Sequence, residues 1–185
     1  LDGMPAVVNY RSFFLNDSIP PEGLAFRPFM EAKGGGQVPL EQFFALPRER
    51  GAEVGLEFNF DMIEKAPNTT LSHRLIALSS VERRDEIVEA IYDAYFQFGQ
   101  DIGDLETLLQ MAGNLGREVA HLRHQLEGED GIDQVMADVH WARKQSISGV
   151  PFFIIENRYA FSGAQPPKTI KRVLEQAANE LSNTN

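Results

Sequence analysis

One stretch restricts the fold more than any other: Ser148 to Gln165, SGVPFFIIENRYAFSGAQ. Phe152-Phe153-Ile154-Ile155 is an apolar run, Glu156-Asn157-Arg158 a polar link, and Tyr159-Ala160-Phe161 a second run closed by Ser162-Gly163. Two such runs joined by a short turn read as a β-hairpin with a buried first strand. Pro151 has no N–H to donate, so it belongs at the strand's first residue, where no ladder bond is lost. Spacing leaves two readings of Gly149-Val150-Pro151 open: a plain strand start, or a cis-proline turn.

The elements upstream are mostly helical in pattern. Ala6 to Leu15 (AVVNYRSFFL) reads as a strand, although Asn9, Arg11 and Ser12 interrupt its alternation. Pro20-Pro21-Glu22-Gly23 then breaks the chain. Phe26 to Lys33 suggests a short helix with Phe26, Phe29 and Met30 on one side. Gly34-Gly35-Gly36 is a flexible link, and lacks the Gly-Lys-Ser/Thr of a phosphate loop. Pro39 to Val54 is helical in type, with Pro47 as a kink or a division, and Leu56 to Phe60 supports only a short extended segment. Asn68 is a good N-cap for a helix running to about Ser80.

The clearest helical periodicity follows. Ile87, Ala90, Ile91, Ala94, Tyr95 and Phe98 form one stripe that stops at Gly99. Asp104 caps a helix carrying Leu105, Leu108, Leu109, Ala112 and Leu115. Further helices are expected with Val119, Leu122 and Leu126, ending near Gly128, and over Gly131–Gln145. Pro166-Pro167 opens a last helix striped by Ile170, Val173, Leu174, Ala177, Ala178 and Leu181, and the tail Ser182–Asn185 is expected to fray.

Gly149-Val150-Pro151-Phe152-Phe153 followed by Phe161-Ser162-Gly163-Ala164-Gln165 resembles the end of the thioredoxin-like domain in DsbA-family oxidoreductases. Phe13-Phe14-Leu15-Asn16, Pro67-Asn68-Thr69 with His73-Arg74-Leu75, Ala94-Tyr95-Phe96 and Asp101-Ile102-Gly103-Asp104 match in the same order. The subgroup is similar to the FrnE type, beside the 2-hydroxychromene-2-carboxylate isomerases. The resemblance implies an α/β chain: a thioredoxin-like core over 1–20 and 147–185, with a helical insertion over 21–146. It also implies that the family's first βα unit is absent from this chain. Leu1-Asp2-Gly3 reads like a helix end with a Gly C-cap, and the first Met is Met4. The family's first strand, Cys-X-X-Cys pair and first helix would therefore lie just before Leu1, and a truncated chain is expected. Without that strand, Ala6–Leu15 and Phe152–Ile155 would present open edges, to be covered by direct pairing, by a swap between subunits or by residues beyond this chain.

Composition collides with the implied chemistry. The chain has no cysteine, and dithiol exchange needs a thiolate nucleophile. As it stands, no dithiol activity and no cofactor are expected. What the resemblance leaves is a binding surface. In thioredoxin-like proteins the residue before the cis-proline pairs through its backbone with an extended peptide or a thiol-containing small molecule. That assigns substrate binding to Val150 and Pro151, with Gly149, Gly163 and Ala164 beside them. Glutathione-binding relatives of the kappa class place Ser-Asp where this chain has Gly163-Ala164, which weakens a glutathione reading. A net charge of −10 argues against nucleic acid, and the lack of a long apolar run or signal-like opening argues against a membrane and for the cytoplasm. Exposed sheet edges would also admit association between copies of the chain.

Other chemistries find little support. His121 and His124 are spaced i, i+3, but no third ligand converges on them in sequence, and Glu118 and Glu127 belong to an acidic helix. His73 and His140 lie elsewhere. Ser148 has no nucleophile-elbow context. Trp141 and the phenylalanines are read as core. Three functions stay in play: an oxidoreductase lacking its cysteine segment, a non-redox peptide-binding module, and a glutathione-dependent isomerase or transferase-like protein.

Overall fold

The chain divides into two compact units, one of residues up to Leu15 with those from Asp138 onward, the other Asn16–Ala137. The structure is a computed structural model and describes residues 6–35 and 38–182. The readings at Leu1–Gly3 and Met4, at Gly36 and at Asn183–Asn185 lie outside the described residues.

In Asn16–Ala137, β1 (Leu24–Ala25) pairs antiparallel with β2 (Lys65–Ala66), and helices supply nearly all the rest. These are α1 (Phe26–Lys33), α2 (Leu40–Glu53), α3 (Thr70–Ala77), α4 (Arg84–Tyr92), α5 (Leu105–Asn114) and α6 (Val119–Glu127). α2 runs through Pro47, and Leu56 to Phe60 forms no strand. The caps follow from side-chain chemistry. The N-cap of α3 is Thr69 rather than the expected Asn68, which stands one residue earlier; the Asn68 Oδ1 accepts the Thr70 N–H at 3.0 Å while its amide donates to the Ile19 carbonyl. Asp104 accepts the Thr107 N–H at 2.8 Å, and Glu118 accepts those of Ala120 and His121. The Asp104 and Glu118 caps each stabilise their helices by about 1 kcal/mol.

Two apolar clusters fill this unit. Leu75, Ile87, Ile91, Leu108, Leu109 and Leu122 centre the first, where α3 to α6 meet. The second is aromatic: Phe44 stacks between Phe26 at 5.8 Å and Phe60 at 4.4 Å, and Tyr95 meets Phe26 edge-on. α4 widens into a π-helical turn over Asp93–Gln97. The extra residue per turn rotates the helix face, so Tyr95 and Phe96 pack inward while Phe98 stands 59% exposed, off the stripe expected for it.

In the other unit, α7 (Ile132–Lys144) ends and leads to β3 (Phe152–Ile155), β4 (Tyr159–Ser162) and α8 (Pro167–Ser182). β3 and β4 form the expected hairpin, Phe152 opposite Ser162 and Ile155 opposite Tyr159. Glu156 and Asn157 both have positive φ, as the central pair of a primed hairpin turn does. Phe153 stacks on Phe161 at 4.9 Å, and α8 joins the same face through Tyr159, whose hydroxyl donates to Glu180.

Three expectations need correction here. Ala6–Leu15 is not a strand: among the described residues it belongs to neither two-stranded sheet, and without a ladder its β-branched composition is not enough. It is held instead by Asp138, which accepts the Ser12 N–H and the Arg11 guanidinium. β3 is not buried, since Phe153 and Ile154 are exposed and β4 is its sole strand partner among the described residues. Trp141 is exposed, on the outer side of α7, while Val139 and Ala142 are buried.

Candidate functional site

The hairpin's open end collects the five residues singled out from sequence. The Gly163 N–H donates to the Pro151 carbonyl at 2.8 Å, one step beyond the last ladder pair. That bond brings Gly149-Val150-Pro151 and Gly163-Ala164 side by side. Gly163 makes the turn out of β4 with φ +77°, a conformation costly for residues bearing a Cβ. The Val150–Pro151 peptide bond is cis.

Val150 is 47% exposed, and Pro151 and Ala164 are exposed as well. Among the described residues neither the N–H nor the C=O of Val150 has a hydrogen-bond partner. A β-carbon added at Gly149 or at Gly163 would meet nothing within 4 Å. The result is a short ledge: one residue of unpaired backbone, flanked by open space, at the base of a two-stranded sheet. An exposed strand end of this kind can accept main-chain hydrogen bonds from, and donate them to, an extended segment.

The ledge offers no reacting group. Among the described residues no three His, Asp or Glu side chains gather as metal ligands, and no helix is long and apolar enough to cross a membrane. The segments Asn68-Thr69 and Asp101–Asp104 act as caps and turns: Asp101 accepts the Gly103 N–H and pairs with Lys65 at 2.7 Å. Phe98 borders a shallow cleft of about 290 Å³ between the end of α4 and α5, lined also by Gln100, Gln110 and Met111.

Two polar residues have structural roles that no local pattern shows, although Arg74 stands in the His73-Arg74-Leu75 segment that carries the resemblance. Arg74 is buried and its guanidinium donates to the carbonyls of Gln125, Leu126, Gly128 and Asp130. Asp138 is equally buried around its bonds to Arg11 and Ser12. Their partners lie at least 50 residues away along the chain, so no short-range pattern announces them.

Comparison with known proteins places this arrangement. A model of the DSBA-like thioredoxin domain matches residues 6–175. The chain belongs to the DSBA-like thioredoxin family. A crystal structure of a probable DsbA oxidoreductase from Streptomyces coelicolor superposes with a TM-score of 0.81 at 28% identity, over 92% of this chain and 74% of that one. The uncharacterized protein YwbO of Bacillus subtilis is 30% identical over 105 residues, 56% of this chain. The chain spans about half the length of that curated relative, 52%. The DSBA-like fold accounts for the many helices and the small amount of sheet.

Proposed function

We propose that this chain carries the substrate-holding part of a thiol–disulfide oxidoreductase of the FrnE type, with residues 1–20 and 147–185 as its thioredoxin-like core and 21–146 as the helical insertion. The observation that supports this best is the unpartnered backbone of exposed Val150 beside Pro151, in a DSBA-like domain. An extended substrate would add to this ledge as one more short strand, its backbone bonded to Val150, while Gly149 and Gly163 leave room for its side chains. The dithiol that would react with the held substrate is not among these 185 residues, none of which is cysteine. The chain by itself therefore binds without exchanging disulfides.

Two measurements test the reading. An insulin-reduction assay with thiol titration on the product of the complete gene reports whether a reactive dithiol accompanies this domain; activity with two titratable thiols is expected. Calorimetry on the chain alone separates the remaining alternatives. Heat with an extended peptide and none with glutathione fits the ledge, whereas heat with glutathione alone fits a glutathione-dependent isomerase. An absence of thiols in the complete product, with peptide binding retained, would leave a non-redox binding module.

A further inference from the structure

We infer that the Val150 ledge selects extended peptides bearing carboxylates on either side of the paired residue, an inference that rests on the ledge reading above. The chain is acidic overall, at −10, but its charge is unevenly placed. Asn16–Ala137 carries ten Lys and Arg against 22 Asp and Glu, while the unit that holds the ledge carries seven against five.

Within that unit the charge is polarised along the hairpin. Tyr159, at the turn end, bonds to Glu180 near the end of α8. α8 therefore runs back along the hairpin, and its first turns lie toward the open end, just after Gly163-Ala164. The acids sit elsewhere. Glu156 is in the hairpin turn, Glu175 lies in the second half of α8, one turn beyond Lys171 and Arg172, Glu180 is engaged by Tyr159 and by Arg158 at 3.7 Å, and Asp138 is buried on Arg11. No acidic residue occurs between Arg158 and Glu175, and no charged residue of either sign between Lys144 and Glu156. The charges that approach the ledge along the chain are all cations: Arg143 and Lys144 at the end of α7, then Lys168, Lys171 and Arg172 at the start of α8. All five are exposed.

Main-chain pairing with an extended segment is indifferent to side-chain identity, so the surrounding field decides which segments are drawn in. Cations at the start of α8, toward the open end of the hairpin, attract Asp- or Glu-flanked peptides and repel Lys- or Arg-flanked ones. Exposed charges act through solvent and are screened over about 10 Å at 0.1 M salt, so the preference weakens as salt rises.

The test uses the full chain and labelled extended peptides that share one apolar centre and are flanked by Asp, Ser or Lys. Binding is read by fluorescence anisotropy at about 20 mM and about 300 mM NaCl. The Asp-flanked peptide is expected to bind about tenfold more tightly than the Lys-flanked one at low salt, and the gap to close at high salt. In the variant combining Lys168→Glu, Lys171→Glu and Arg172→Glu, with folding verified by circular dichroism, the order should reverse. If the Ser-flanked peptide binds while the other two differ by less than about twofold at low salt, the charge inference is overturned and the ledge stands. If no peptide binds, both fall. Glutathione presents carboxylates in a smaller body and forms a separate arm; binding of glutathione alone overturns the peptide assignment.

Discussion

Asp138 binds two successive residues of a distant segment at once: its carboxylate accepts the Arg11 guanidinium at 2.8 Å and the Ser12 N–H at 3.0 Å, across 127 and 126 positions of sequence. Asp138 is 7% exposed, whereas the Arg11 side chain is largely in solvent. The backbone bond is thus the buried half of the arrangement, and the ion pair the solvated half. Asp138→Ala leaves the Ser12 N–H without its partner in a buried place and should destabilise the fold by about 1–3 kcal/mol. Arg11→Ala should cost less, about 0–1 kcal/mol, because its charge is screened. Urea melts of the two variants check the order, and equal losses would contradict it.

The Arg74 guanidinium closes the end of α6 by donating to the carbonyls of Gln125, Leu126 and Gly128, and reaches Asp130 beyond it. A planar fork can satisfy several carbonyls together, and a single ammonium cannot. Arg74→Lys should therefore destabilise by about 2–4 kcal/mol even though it keeps the charge. Thermal unfolding followed by circular dichroism reports this as a clear fall in Tm. A variant that melts with the parent would show that these bonds add little.

Sequence legibility tracked the range of the interactions involved. The cap at Asp104 and the stripe Ile87–Ile91–Tyr95 are set within one or two helical turns, and local pattern shows them, while the N-cap of α3 falls on Thr69, one residue past the expected Asn68. The hairpin was legible for the same reason, its two runs and its turn being contiguous. Ala6–Leu15 has the composition of a strand but joins neither sheet, because composition does not say whether a ladder forms. The π-helical turn at Asp93–Gln97 has no mark in the sequence, so a regular helical period puts Phe98 one face away from where it stands. The residues of the ledge were found through likeness to a family, while the cations around it become meaningful only once Glu180 and Tyr159 fix the direction of α8.

Gly99 follows the π-helical turn with φ +63°, and a Cβ there would collide with the Met62 carbonyl oxygen. Backbone conformation and close approach both exclude a side chain. Gly99→Ala should cost about 2 kcal/mol or more, while Gly163→Ala, where φ is +77° but the space is open, should cost only about 1 kcal/mol. Denaturant midpoints at constant m-value measure the difference.

Burial, with a smaller effect from nearby Asp101, pushes the Tyr95 hydroxyl well above the usual phenol range, and that hydroxyl donates to the Lys65 carbonyl at 3.3 Å. Its folded pKa exceeds its unfolded one, so the folded state holds the proton more firmly. The associated stabilisation is complete below about pH 10 and is lost as pH rises beyond it. Tyr95→Phe should flatten the decline in stability between about pH 9.5 and 11.5 and leave neutral-pH stability nearly unchanged. An identical alkaline decline in the two proteins would assign the slope to other groups.

The central claim is that an extended peptide pairs with the free backbone of Val150. The most direct measurement is amide hydrogen exchange by NMR, residue by residue, with and without a bound extended peptide. Protection of the Val150 N–H on binding is predicted, together with loss of binding when the peptide's matching amide is N-methylated. A peptide that binds while the Val150 N–H exchanges as fast as before, or that binds equally well after N-methylation, would contradict it.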